Sequence, residues 1–524
     1  MKYTLGHQDF RLIRERGLVY VDKTEEVCRV ANRRGYVFLS RPRRFGKSLT
    51  VATLAELYSG DRALFEGLWA YDRWDFAGRH SSVVWLKFAS SGFGDSGIAA
   101  ALHKVVEDNA ARLNLAIPSR EASPSTRFEA LLKAAAAASP SGNTVLLVDE
   151  YDKPITHHIE GGGGGTLDVR PNGVQGPRSG VDDTLRALKA FYGILKDANP
   201  YLELVFITGV SAFSKVSLFS DLNNLTNLSL RLDAATLVGI TEAELTTYFG
   251  EDIEATGVSR ELVRQWYNGY RFAGGAERVY NPWSVLSFLD EGTLQSYWYE
   301  TGTPTWLLDA LVRDSAMSFG SYHVPAATLK TFDIKHIDPV GLLYQTGYLT
   351  IVDHDGHGRN FELDYPNDEV HEAFSAGLLR ALGRETSEYP TIRARTARQG
   401  LSAGDVAPFV EQLDALLASI PHYLWEARRE SAYHIAAHSL LVLIGMQTRS
   451  EVATARGRAD TVVETGDYVY AFEFEVDRPV AEALAQVRER GYLRAYEGLG
   501  KTLVAVGVSF DGEGRRVGEW VAEH

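Results

Sequence analysis

Between Tyr36 and Leu57 an apolar run, a short basic loop and a helix-forming segment follow one another, and this order constrains the chain more than any other feature. Tyr36-Val-Phe-Leu39 reads as a buried strand, Ser40-Arg-Pro-Arg-Arg-Phe-Gly-Lys-Ser48 as the loop, and Leu49 to Leu57 as the helix. A loop whose backbone N–H groups converge at a helix N-terminus cradles phosphate, with a lysine on the terminal phosphates and a hydroxyl on Mg²⁺. Lys47 and Ser48 suit those two roles, and Arg43, Arg44, Gly46 and Leu49 complete the expected contact set. The general pattern G-x-x-x-x-G-K-[ST] is not met, because Arg41 holds the first glycine position. Taken alone, Gly46-Lys47-Ser48 is equally a basic turn opening a surface helix.

Thr144-Val-Leu-Leu-Val-Asp149-Glu150-Tyr-Asp152 supplies the partner, a buried strand ending in adjacent carboxylates. At such a strand end the first acid holds Mg²⁺ and the second polarises the attacking water, so Asp149 and Glu150 take those roles. A strand ending in acids is common in α/β proteins; what points to a phosphate site is the two motifs occurring in this order. Glu203-Leu-Val-Phe-Ile-Thr208-Gly-Val-Ser211 is a further buried strand, ending in hydroxyls. Thr208 or Ser211 either contacts the terminal phosphate or caps the next turn. Strand and helix candidates alternate, which implies a parallel sheet with right-handed crossovers and a ligand at the carboxyl ends of its strands.

At 524 residues the chain exceeds one ordinary core, and its 45% hydrophobic content is that of a globular protein. No apolar run is long enough to span a bilayer, and a single cysteine, Cys28, excludes an internal disulfide framework; both suit the cytoplasm. The net charge of −14 argues against indiscriminate polyanion binding but leaves room for a local basic cleft at Arg41, Arg43, Arg44 and Lys47. Asp22-Lys-Thr24 reads as a helix cap. The stretch from Gly161 to Gly180 opens with five glycines and is expected to be a mobile insertion. From Gly239 a helical region is expected. Its rings around Trp266 and Tyr267 either pack a lid or stack on bases, and His354 and His357 belong to a hairpin turn rather than a metal site.

Residues 384 to 404 read as a polar, helix-poor connection. Beyond them come a strong helix with Glu430, strands with Asp460 and with Glu473-Phe-Glu475, a helix with Gln486, and a last strand from Thr502 to Phe510. Helix, three strands, helix, strand is the layout of restriction-endonuclease-like folds, in which carboxylates bind Mg²⁺ and a lysine in E-x-K activates water. Glu430, Asp460 and Glu473 are the candidate metal ligands. The lysine position is Glu475, and an acid cannot supply that positive charge. The alternative is that these alternating acids simply face solvent.

Tyr20-Val-Asp-Lys-Thr24, Ser40 to Ser48, Val148-Asp-Glu-Tyr-Asp-Lys-Pro154, Thr208-Gly-Val-Ser211, Tyr267-Asn-Gly-Tyr270, Gly457-Arg-Ala-Asp460 and Gln486 together carry a resemblance over nearly the full length. The chain resembles bacterial and archaeal proteins that join an AAA-ATPase-like domain to a C-terminal PD-(D/E)xK nuclease-superfamily domain. Arg41 is usual in that group, whereas Glu475 departs from its Glu-Phe-Lys. The resemblance implies an α/β chain with a P-loop NTPase parallel-sheet domain over 1–238, a helical middle region over 239–384 and a restriction-endonuclease-like domain over 405–524. It also implies ATP and Mg²⁺ as ligands, Gln486 in a supporting role, and a nuclease fold whose activity Glu475 places in doubt. DNA is the candidate partner of the C-terminal domain. The rival readings are an active Mg²⁺-dependent DNase and a nucleotide-gated binding module without turnover, and an oligomer is compatible with each.

Overall fold

The structure is a computed structural model. It describes residues 3–88, 93–160, 168–170, 173–175, 180–211, 222, 224–298, 322–330, 338–381, 391–420, 430–444, 446–454 and 457–524. They form two compact units, one built chiefly from residues up to Asp368 and the other chiefly from Glu369 to His524. Among the described residues no helix is long and apolar enough to cross a membrane.

The first unit is organised by a five-stranded parallel sheet. Its strands are β1 (Gly35–Ser40), β2 (Ser82–Lys87), β3 (Thr144–Asp149), β4 (Leu202–Gly209) and β5 (Thr226–Asn227), in the spatial order β2-β3-β4-β1-β5. Every residue of β3 is buried and β1 is buried from Tyr36 onward, as expected of strands covered on both faces. α1 (Thr24–Asn32) precedes β1, and α2 (Lys47–Ser59) carries the chain from β1 across to the edge strand β2. This jump leaves a crevice at the carboxyl ends of β1, β4 and β3, the place where ligands bind in open α/β sheets. The exposed edge of β2 is closed by α3 (Phe93–Arg112). Asn109 bonds both backbone groups of Trp85, and Arg112 bonds the Val83 carbonyl.

Within the same unit, α4 (Glu242–Thr256) begins with a complete capping box of Thr241 and Glu244, and α5 (Pro282–Glu291) is capped by Asn281. This region is not purely helical, since strands at Tyr322–Pro325, Asn360–Asp364 and Thr350–His354 form a small sheet. The expected turn before Asn360 is present, with the Asp355 carboxylate accepting the N–H groups of His357, Arg359 and Asn360. Of the glycine-rich stretch, Asp168–Arg170 and Gly173–Gln175 form a two-stranded ladder; residues 161–167, 171–172 and 176–179 lie outside the described residues.

The second unit contains α6 (Glu430–Leu443), then β6 (Gln447–Thr454), β7 (Gly457–Glu464), β8 (Tyr468–Val476), α7 (Val480–Arg490), β9 (Thr502–Asp511) and β10 (Arg516–Glu523). The sheet runs β6-β7-β8-β9-β10, antiparallel except for the parallel pair β8 and β9 joined through α7. The sequence indicated this order without its last strand. It also indicated a helix-poor connection where Thr391–Ser402 is a helix. Arginine, alanine, glutamine and leucine are good helix formers, and Ala397 and Leu401 are fully buried, so tertiary packing stabilises a segment that looks polar in sequence.

Candidate functional sites

The loop between β1 and α2 turns through two left-handed residues, Arg44 at φ 67° and Gly46 at φ 91°. Such alternation lets successive N–H groups face one concavity, and Gly46 is also the N-cap of α2. Lys47 is buried and donates from Nζ to the Pro42 carbonyl at 2.7 Å, folding back over the loop. Burial lowers its pKa to about 8 against the opposing pull of Asp149, Asp152 and Glu150. Ser48 hydrogen-bonds the Asp149 carboxylate, whose pKa burial raises. The second oxygen of that carboxylate, Oδ1, is buried with no hydrogen-bond partner. A hydroxyl and a half-satisfied buried carboxylate at a helix N-terminus are hard oxygen donors that fit a divalent cation such as Mg²⁺.

Glu150 follows at φ 51°, a left-handed turn that swings its side chain away from the strand direction. Burial, then the charges of Asp149 and Asp152, raise its pKa, which moves it towards the range of a general base. Asp152, given no role from the sequence, organises the neighbouring strand end. Its Oδ2 accepts from Val210 N, Ser211 N and Ser211 Oγ at 3.0, 2.9 and 2.8 Å. The Thr208 hydroxyl donates to the Leu39 carbonyl at 2.8 Å, stitching β4 to β1. Both hydroxyls expected near the phosphate are therefore bonded within the protein, that of Ser211 to a carboxylate 59 residues away; the turn it was expected to cap lies outside the described residues. The signal in the sequence was the third acid of Asp-Glu-x-Asp, one turn beyond a strand end.

The basic residues of the loop divide in two. Arg41 is buried, donates to the carbonyls of Ser40, Ser229 and Ala234, and lies 4.2 Å from the centre of the Phe272 ring. Arg44 stacks on Trp283 at 3.7 Å. The Arg41 guanidinium thus ties the loop to residues 229–234 and to the Phe272 ring, and that of Arg44 lies on the Trp283 ring. Arg43 is half-buried, and its charge is felt at Lys47. Phe45 packs edge-on against Tyr270 and Phe272, and its carbonyl accepts from Gly239 N. Beside Gly46, a cavity of about 80 Å³ is lined by Tyr20, Val21, Leu49, Val238, Ile240 and Leu286. Asp22, read as a cap, does bond Thr24 N and Oγ1, and its other oxygen takes Trp69 N.

In the second unit Asp460 on β7 lies across from Glu473 on β8. The Asp460 N–H donates to Glu473 Oε2 at 3.3 Å, and the Phe474 N–H to Asp460 Oδ2 at 2.8 Å. Glu473 is buried, and desolvation followed by the Asp460 charge pushes its pKa up to about 8. His434, one turn along α6 from Glu430, places Nε2 at 3.7 Å from Asp460 Oδ2. The Glu430 side chain lies outside the described residues, among which no three His, Cys, Asp or Glu side chains converge to hold a metal. Glu475 does not face solvent. It is 5% exposed and accepts from Gln486 Nε2 at 2.5 Å and Arg478 Nη1 at 3.2 Å.

Over residues 4–219 the chain matches the family described as "Predicted AAA-ATPase", and over residues 428–520 the PD-(D/E)XK nuclease superfamily. A protein of Azotobacter chroococcum mcd 1, named only as an uncharacterized protein in the vnfD 5' region, is 35% identical over 536 residues. That alignment spans 100% of this chain and 99% of the relative. No solved structure matches. The chain belongs to the family of proteins that carry an AAA-ATPase-like domain ahead of a C-terminal PD-(D/E)XK nuclease-superfamily domain.

Proposed function

We propose that the first unit binds ATP with Mg²⁺ and hydrolyses its terminal phosphoanhydride. The observation that carries this reading is the buried Asp149 Oδ1 without a hydrogen-bond partner, on a carboxylate already bonded to Ser48 and close to the Lys47 ammonium. Ser48 and Asp149 would hold the cation, which supplies charge neutralisation between the phosphates. Lys47 leaves the Pro42 carbonyl to bind the β- and γ-phosphates, and the N–H groups of the loop donate to the remaining phosphate oxygens. Glu150 orients a water for in-line attack, and the burial and neighbouring acids that raise its pKa favour its taking up a proton. The apolar cavity beside Gly46 and Leu49 takes the base.

Phosphate release by the full chain with Mg²⁺ and ATP tests this, with Lys47→Ala and Glu150→Gln as controls, each with and without DNA. Turnover present in the wild type and lost in both variants supports an ATPase. ATP binding without turnover in any of them replaces it with a nucleotide-gated binding module.

A second reading concerns the second unit and is favoured by the facing acids Asp460 and Glu473. Two carboxylates this close, one of them pushed up to about 8, form a pair that a divalent cation would relieve. We assign this unit to metal-dependent phosphodiester cleavage, and loss of plasmid nicking in Asp460→Ala checks it.

A further inference from the structure

We propose that Arg490, on the last turn of α7, supplies the positive charge at the scissile phosphodiester that residue 475 cannot supply. The inference rests on the phosphodiesterase reading of the second unit. The contact between Gln486 and Glu475 fixes how α7 lies on β8. Arg490 is four residues beyond Gln486, on the same helix face and about 6 Å further along the axis. Glu473 is two residues before Glu475, on the same face of the strand and about 6.6 Å back along it. One pair therefore implies the other: with Gln486 at Glu475, Arg490 stands opposite Glu473. The charges of both Glu473 and Asp460 are felt at Arg490, which agrees with this register.

Three features suit Arg490 to the task. Its guanidinium is exposed, so a nucleic-acid phosphate can reach it. Its Nη1 donates to the buried Tyr492 hydroxyl at 3.0 Å, which fixes the head group while leaving further N–H donors for phosphate oxygens. Glu475, by contrast, is buried and bonded through both oxygens. In the hydrolysis a water oxygen forms the new bond to phosphorus, and the ester P–O bond breaks with its electron pair going to the leaving oxygen. That oxygen takes up the proton released by the water. Arginine stays protonated throughout, so Arg490 acts by stabilising the phosphorane charge and not by proton transfer.

The test is nicking of supercoiled plasmid by the full chain with Mn²⁺, read beside Mn²⁺ affinity measured without DNA. Arg490→Ala is expected to cut about a hundredfold more slowly. It should also bind Mn²⁺ severalfold more tightly, because the guanidinium no longer shares the acid pair. Arg490→Lys should retain most cutting, and adding Glu475→Lys to Arg490→Ala should restore it. Equal cutting by the wild type and Arg490→Ala overturns the role of Arg490 and leaves the phosphodiesterase reading standing. A wild type that binds Mn²⁺ yet cuts no DNA overturns that reading, and the assignment of Arg490 with it.

Discussion

Arg41 occupies the position where phosphate loops usually carry glycine, and its side chain explains how the fold tolerates it. The guanidinium turns inward, donates to three backbone carbonyls and loses affinity for its proton through burial, to about 10. Arg41→Met is expected to leave those carbonyls unpaired at a cost of about 3 kcal/mol, measurable as a lower urea midpoint. An unchanged midpoint would mean that water replaces the guanidinium. A second residue-scale prediction concerns His371 and His438, whose Nε2 atoms lie 3.0 Å apart. Burial lowers His371 to about 4 and His438 well below the usual range. Their folded pKa values lie below the unfolded one, so the neutral pair contributes fully above about pH 6.5. As pH falls towards 4 the unfolded chain takes up protons that the folded one refuses, at about 1.4 kcal/mol per pH unit for each ring. Urea midpoints of the wild type should therefore decline through this window, and those of His371→Gln should decline about half as steeply. Parallel declines would remove the pair from the acid response.

At the scale of elements, the loop is held by the middle region as much as by its own sheet. Arg44 stacks on Trp283 in α5, Phe45 packs on Tyr270 and Phe272, and Lys23 bonds Glu244 in the capping box of α4 at 2.7 Å. Arg44 sits at a positive φ that costs a non-glycine residue about 1 kcal/mol, close to what its stacking returns. Trp283→Leu should therefore relax the loop and weaken Mg²⁺-ATP binding about tenfold, equivalent to about 1.4 kcal/mol. Equal affinity in a fluorescent-nucleotide titration would show that the loop holds its shape unaided.

These contacts also mark the limit of what the sequence could tell. The strand, loop and helix around Lys47, the acidic strand end and the order of elements about Asp460 are local patterns, and periodicity with charge placement reveals them. The partners of Arg41 lie 188 and 193 residues away, and that of Lys23 lies 221 away. No local pattern encodes such pairings, so a run of arginines reads as a phosphate cleft when two of its members are structural. The same holds for Thr208, whose hydroxyl is taken by a neighbouring strand, and for Arg490, which becomes notable only once α7 is laid on β8.

At the scale of the whole molecule, two units each carry one candidate site, and each site asks for a different ligand. On the function proposed above, the first takes a nucleotide with its cation. The second presents two carboxylates in a chain of net charge −14, so a divalent cation should bind there without nucleotide, ahead of any phosphodiester. Amide exchange separates the two. With Mg²⁺-ATP at about a hundred times its Kd, sites opened only by local unfolding are stabilised by about 2.7 kcal/mol, so exchange should slow about a hundredfold. We expect this over residues 41–48, 149–152 and 208–211, with no change over 457–476 beyond that caused by Mg²⁺ alone. Mn²⁺ without nucleotide should slow exchange over 457–476 and do so less in Asp460→Asn. A nucleotide-dependent change at 457–476 that survives this cation control would show that the units share one conformational equilibrium. The hydrolysis cycle of the first would then govern access to the acids of the second, and Glu150→Gln, expected to bind nucleotide without turning it over, would hold that access in one state.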